Sequence, residues 1–426
     1  MTGSKWQWLL KQMTRKLWVR TSLYALLAVA TALISIVLNQ FITLPPAINV
    51  SKDLLNNILN ILATSMLAVT TFSLNIMVSA YSAASAGGVT PRATKLLMED
   101  STTQNALATF LGSFLFSLVG IIALGIGAYH QQAQIYLFIV TIAVIVMIIL
   151  TLLRWIQHLS VLGRVSETTS YVEQALLDAI RKRGGKERWL GAHPWSHPEH
   201  KPRGSTPIFS QEIGYLQHVD MHHLDSIAEA NQCTIYLERQ PGSFVYMSQP
   251  LAWVCGALPD ENEITAAFTI RTERSYDQDP RFGLVVIAEI ASRALSPPAV
   301  NDNGTAIDVL GRSVRSLSLW GELLSEPPTK TRYPRLFVPA LSCQDLFDDV
   351  FLPIAHDGAA QLQIQIRLQK ALLALSSMHP PKLFLSPATK LSEKALELSL
   401  SQHYTEDEKH QLSHLSNLVT DQKANG

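Results

Sequence analysis

Asp279, Arg293, Asn301, Asp302 and Thr305 are the residues of this chain whose types suit ion or ligand recognition. An arginine and a hydroxyl beside a helix N-terminus can receive an anion, and carboxylates can hold a hard cation. Asp277 and Arg281 stand close by in sequence and extend the same polar set. The spacing matches no diagnostic pattern, and no phosphate-binding loop, nucleophile elbow, zinc-protease helix or dinucleotide fingerprint occurs in the chain. No catalytic residue is assigned, and a non-enzymatic role is expected. The stretch ALSPPAVNDNGTAID, residues 294–308, also has an architectural reading: Ser296-Pro297-Pro298 stops one helix, and Asp302 or Asn303 caps the next.

Metal and cofactor chemistry find little support. His193, His197 and His200 lie in a Pro-rich stretch where Pro194 and Pro198 deny them a shared helical face, and no cysteine or acid completes a zinc set. Cys233, Cys255 and Cys343 are far apart and match neither a disulfide framework nor a metal spacing, so they read as small buried hydrophobes. Neither a metal nor a cofactor is expected.

A second polar set lies where it is costly. Thr64, Thr71, Asn75, Ser79 and Ser82 recur at helical spacing within an apolar run, while Leu62, Met66, Val69 and Ile76 take the opposite face. Lipid does not reward such a stripe, so it belongs against another helix or against water. No Asp, Glu, Lys or Arg lies inside the apolar run itself, which argues against a proton relay.

These residues need elements to position them. The chain has 426 residues, 47% hydrophobic and 16% charged, which is too apolar for a soluble protein of this length. The excess lies in four runs long enough to cross a bilayer, at about 21–44, 58–80, 106–128 and 135–153. Lys5, Lys11, Arg15, Lys16 and Arg20 precede the first run and Arg154, Arg164, Arg181, Lys182 and Arg183 follow the fourth, so both termini are expected on the cytoplasmic side of the inner membrane. Small residues spaced by four in the third run, such as Ala108 and Gly112 or Ser113 and Ser117, favour close helix packing, possible between subunits. With 34 basic and 34 acidic residues, nothing points to nucleic acid.

The fold class expected is an α-helical membrane domain with four transmembrane helices, residues 1–153, followed by a cytosolic α+β region. That region divides into a helical stalk and Pro/His-rich linker (154–205), a small β-domain (206–272) and a helical C-terminal part (273–426). The stalk pattern runs on from the fourth span to Gly184-Gly185, ITAAFTIR alternates as a strand, and residues 334–378 hold one or two helices. Gln240-Pro241-Gly242-Ser243 suits a type II turn. Asp279-Pro280 opens one helix, an Asp308–Arg312 pair lies outside the next, and Thr405 with Glu408 forms a capping box.

The SLNIMVSAYSAASAGGVTPRATKLLMED segment, the GYLQHVD and ERQPGSFV strands, the Asp279-Pro280 helix start and the ALSP…ND…TA corner together resemble the bacterial membrane proteins grouped as domain-of-unknown-function family 2254. The resemblance covers most of the chain and implies the same membrane-plus-body architecture. It implies no activity, because the family has none assigned. The family corner tends to carry proline where Asn303 stands.

The leading functional expectation is an oligomeric, channel-like or sensory assembly in the bilayer, with the Thr64–Ser82 face at a homo-oligomer interface or a water path. The alternative is an enzyme or ligand receptor working at the cytosolic face through the Asp279, Asn301 and Asp302 region, and a third is a scaffold that recruits a partner through the tail helices.

Overall fold

A chain in lipid must satisfy its own backbone, and a helix does so within one segment. The computed structural model describes residues 50–422 except 87–89, 99, 128–130, 186–187, 197–199, 297–300, 328–330 and 379–382, together with helical positions scattered between 19 and 30. Among these residues three helices are long and apolar enough to cross a membrane: α1 (Lys52–Ala86), α3 (Ser101–Gly125) and α4 (Gln131–Leu159). A short α2 (Pro91–Met98) separates the first two. The expected first span, 21–44, lies largely outside the described residues. Its described residues form two compact units, one of those between 9 and 86 with 94–167, the other of those between 87 and 93 with 168 onward.

In the membrane unit α3 is the central helix. Its Ala108, Gly112, Ser113, Ser117 and Ala123 are all buried, and Leu59 of α1 reaches within 3.0 Å of where a Cβ on Gly120 would stand. The small residues therefore bring helices of one chain together. Asp100 caps α3, accepting from the backbone N–H of Thr103 at 2.8 Å and pairing with His158 Nε2 at 2.9 Å. Burial alone would raise the Asp100 carboxyl, but hydrogen bonds from His158 and Thr103 hold it well below the usual carboxylate range. Trp155 Nε1 donates to Ser73 Oγ at 3.0 Å and ties α4 to α1.

The continuous stalk expected after α4 is broken. A turn at 160–164 separates α4 from α5 (Val165–Gly184). Gly163 has φ +84 and sits so close to Ala80 that a Cβ would stand 3.0 Å from the Ala80 carbonyl, a position that favours glycine on both counts.

The body holds two sheets beside a helical layer, and a left-handed turn at Arg188–Gly191 leads into the first strand. The strands are β1 (Ala192–Trp195), β2 (Ser205–Phe209), β3 (Gly214–Val219), β4 (Thr234–Leu237), β5 (Phe244–Val245), β6 (Pro250–Cys255), β7 (Phe268–Arg271) and β8 (Tyr333–Pro339), with α6 (Met221–Ala230) and α7 (Glu261–Ala266) between them. One sheet runs β1-β8-β4-β6-β2 and the other β5-β3-β7. Ile208, Leu216, Leu224, Ile235, Val254 and Leu336 meet in a shared core.

Two expectations are corrected here. Residues 333–339, placed in the helical C-terminal part, form β8, which pairs parallel with β1 on one side and β4 on the other. Pro334 and Pro339 disfavour a helix, and the buried Tyr333, Leu336 and Val338 suit a strand covered on both faces. ITAAFTIR is also split: Asp260 caps α7 through Asn262 N–H, and only Phe268–Arg271 is strand. The five-stranded sheet thus draws β1 and β8 from outside residues 206–272.

The helical layer comprises α8 (Pro280–Leu295), α9 (Asn303–Ser325), α10 (Cys343–Asp357), α11 (Leu362–Ser376), α12 (Leu385–Leu400) and α13 (Glu406–Asp421). The Thr405–Glu408 capping box forms at the start of α13. Arg312 does pair with Asp308 at 2.7 Å, but it turns inward and also meets Glu173 of α5 at 2.6 Å. The pair expected on the surface is half of a buried tie between α9 and α5.

Candidate functional site

The sequence-derived ligand set falls at the two ends of α8. Sixteen residues at 1.5 Å each separate those ends by about 24 Å. At the N-terminal end Asp279 is 3% exposed, accepts from Phe282 N–H at 3.1 Å and pairs with Arg274 at 2.8 Å. Burial raises its carboxyl, against the pull of Arg274. Gly242 of the Gln240–Ser243 turn has φ +98, and a Cβ there would collide with the Asp279 carboxylate. Arg183 of α5 is buried nearby, bonded to Gln240, and burial lowers its guanidinium to about 10 against the attraction of Asp279. Asp279 thus holds a hairpin turn against a helix start.

Arg293, Asn301, Asp302 and Thr305 gather at the other end. The Asp302 N–H donates to Ala294 O at 2.8 Å, and its carboxylate caps α9 by accepting from Thr305 N–H at 3.2 Å and Thr305 Oγ1 at 2.7 Å. These bonds lower the Asp302 carboxyl below its ordinary value. Asn301 takes a left-handed φ of +51, which asparagine tolerates better than most residues. Asn301 and Asp302 are exposed, and capping accounts for the contacts of Asp302 and Thr305.

The polar membrane face forms as one surface. Thr64, Thr71, Asn75, Ser79 and Ser82 are all exposed, while Leu62 and Met66 opposite them are buried and Val69 and Ile76 are half-buried. Thr64 Oγ1 donates to Asn60 O at 2.8 Å and Thr71 Oγ1 to Leu67 O at 3.0 Å, so these hydroxyls satisfy themselves within the helix. The Asn75 side chain has no hydrogen-bond partner among the described residues. No group of three metal-ligating side chains occurs among the described residues, and His193 stacks on Phe337 at 5.2 Å.

One cleft that the sequence did not single out lies in the body. It measures about 520 Å³ and is lined by Thr90, Pro91 and Arg92, by Val285, Ala288, Glu289 and Ser292 of α8, and by Asp348, Asp349 and Pro353 of α10. Helical spacing puts Val285, Glu289 and Ser292 on one face of α8. Glu289 receives Arg92 on one oxygen, and its buried Oε2 has no partner. Burial raises the Glu289 carboxyl, opposed by Arg92 and Thr90. Arg281 grips Asp349 with two bonds of 2.6 and 3.0 Å and Asp345 with a third of 2.6 Å. Asp348 accepts only from Gln344, at 2.8 Å, and no cation among the described residues pairs with it. Pro353 has no N–H to offer the Asp349 carbonyl one turn earlier. The volume is that of a small-molecule site. A lone glutamate inside FGLVVIAEIA was the one local signal for it.

The family model described as "Predicted membrane protein (DUF2254)" matches residues 14–374. The chain belongs to that family. All the cleft residues lie within the DUF2254 match. Uncharacterized protein Mb1321c of Mycobacterium bovis and uncharacterized protein Rv1290c of Mycobacterium tuberculosis are each 28% identical over 236 residues. These alignments cover 51% of this chain, which spans less than half of the length of each curated relative, 43%. No solved structure matches the chain significantly. DUF2254 membership establishes a membrane protein whose matched relatives are themselves uncharacterised.

Proposed function

We propose that the protein is a sensory receptor of the bacterial inner membrane, with its body on the cytoplasmic side and a small ligand taken up in the cleft of α8 and α10. The carrying observation is that cleft, where, among the described residues, Glu289 keeps a buried oxygen without a partner and Asp348 has no cation. Buried polar groups are ordinarily satisfied, and those left open at a concave surface are where a ligand gains most. Arg92, from the chain between α1 and α3, closes on Glu289, so occupation of the cleft acts directly on that segment. The excess of Lys and Arg outside the apolar runs favours the cytoplasmic placement.

The test is a thermal-shift screen of metabolites against full-length protein in detergent, repeated with Ser292→Trp, which fills the cleft. Ligands that stabilise the wild type are expected to lose their effect on the variant. Stabilisation that survives intact in Ser292→Trp sinks the reading.

The exposed Thr64, Thr71, Asn75, Ser79 and Ser82 face favours a second reading, a homo-oligomer that buries this stripe or lines a water path with it. An asparagine amide gains a partner at a helix interface that hydrocarbon does not offer. Asn75→Leu with Ser79→Leu is expected to lower the oligomeric mass in detergent and to change ion flux in liposomes. Unchanged mass and unchanged flux count against both forms.

A further inference from the structure

The lining sets three carboxylates against Arg92 and the hydroxyls of Thr90 and Ser292, and the Thr90 hydroxyl already bonds Glu289. Glu289 Oε2 is buried without a partner, Asp348 has no cationic neighbour among the described residues, and Pro353 supplies no N–H to the Asp349 carbonyl. Of the three lining carboxylates only Asp349 is fully engaged, by the two-pronged grip of Arg281. Among the described residues the cation that lines the cleft is Arg92, whose side chain is 59% exposed. An ion pair with so exposed a partner is weak and screened by salt, so another cation can take its place.

The rest of the lining narrows the class of that cation. Pro91, Val285, Ala288 and Pro353 give the cleft an apolar wall. A bare divalent ion gains nothing from such a wall and needs a fuller set of oxygen ligands than it meets here. An alkylammonium ion uses both parts, placing N–H donors on the carboxylates as charge-assisted bonds and its chain on the apolar side. We propose that the cleft binds a small organic amine in its ammonium form, whose head group displaces Arg92 from Glu289 and whose second amine, where present, reaches Asp348. This rests on the ligand-cleft reading above and adds to it the ligand class and a built-in competitor. Arg92 occupies one oxygen of Glu289, so it competes with the ligand for that carboxylate.

The test is isothermal titration calorimetry of full-length protein in detergent with butylamine and with diaminobutane, at ionic strength matched with KCl. Saturable binding of diaminobutane is expected, weakened at least tenfold or so in Glu289→Gln. Asp348→Asn weakens diaminobutane more than butylamine. Arg92→Ala tightens both several-fold, an effect that misfolding does not produce, and Glu289→Asp restores part of the affinity. Equal affinity in wild type and Glu289→Gln overturns the proposal. So does weaker amine binding in Arg92→Ala, or saturation by MgCl2 that excludes the amines. Should amines fail while a neutral or anionic compound still gives a Ser292→Trp-sensitive thermal shift, the amine assignment falls and the receptor reading stands. Failure of every compound in both assays removes the two together.

Discussion

In the membrane unit Thr70, Ser113, Ser117 and Thr141 each donate to the carbonyl one turn earlier in their own helix. In the body Ser392 Oγ instead donates to Gln369 Oε1 at 2.6 Å and meets Ser416 Oγ at 2.8 Å, joining three helices, while Arg312 joins α9 to α5. The membrane unit crosses between helices at Ser73 with Trp155 and at Asp100 with His158. Lipid-facing helices must quiet their polar atoms locally, because hydrocarbon offers no partner. A water-exposed body with a large core has polar groups to spare for tying distant elements, provided every atom is satisfied. Back-bonded serines occur in the body as well, at Ser313, Ser316 and Ser399, so what sets the body apart is the added ties between helices.

Substitutions can break this contrast. Glu173→Ala leaves Arg312, with only 11% of its side chain exposed, short of its buried counter-charge, and is expected to cost about 3 kcal/mol. Urea unfolding followed by tryptophan fluorescence measures it, and a loss well under 1 kcal/mol, if found, means that Asp308 alone is enough. Ser392→Ala strips a donor from Gln369 and is expected to cost about 1–2 kcal/mol in the same assay.

Asp100→Asn keeps a capping side chain but loses the charge facing His158, for an expected loss of about 1 kcal/mol at neutral pH. The sign with pH follows from the depressed carboxyl. Its contribution is complete above the unfolded carboxylate value, about 3.9, and is lost as pH falls through the lower folded value. The carboxyl therefore keeps its contribution through the neutral range, and wild type and Asp100→Asn should converge only in strong acid. A gap that closes near neutrality places the effect elsewhere. Ser113→Ala is the smallest, at about 0.6 kcal/mol or less, since the carbonyl it releases keeps its helical partner. A cost matching that of Ser392→Ala erases the contrast.

What the sequence disclosed was local. Asp279 before Pro280, Asp302 three residues before Thr305, the Thr405–Glu408 pair and the Gln240–Ser243 turn all form within a few residues, and all stand as expected. The cleft was hidden because Arg92 and Glu289 are 197 residues apart, and no local period reports on such a pair. Strand β8 was hidden for a related reason: both faces are covered, so it shows no alternation to separate it from a helix.

The place of β8 in its sheet has a consequence for biosynthesis. Its partners β1 and β4 are complete by Leu237, yet the strand that fills the gap between them ends at Pro339, about a hundred residues later. While the ribosome makes that stretch, two ladder edges stand open on a nascent chain whose long apolar helices have already been made. A premature stop ahead of Tyr333 leaves those edges open for good, and such a fragment becomes a substrate for chaperones and proteases instead of a shortened working protein.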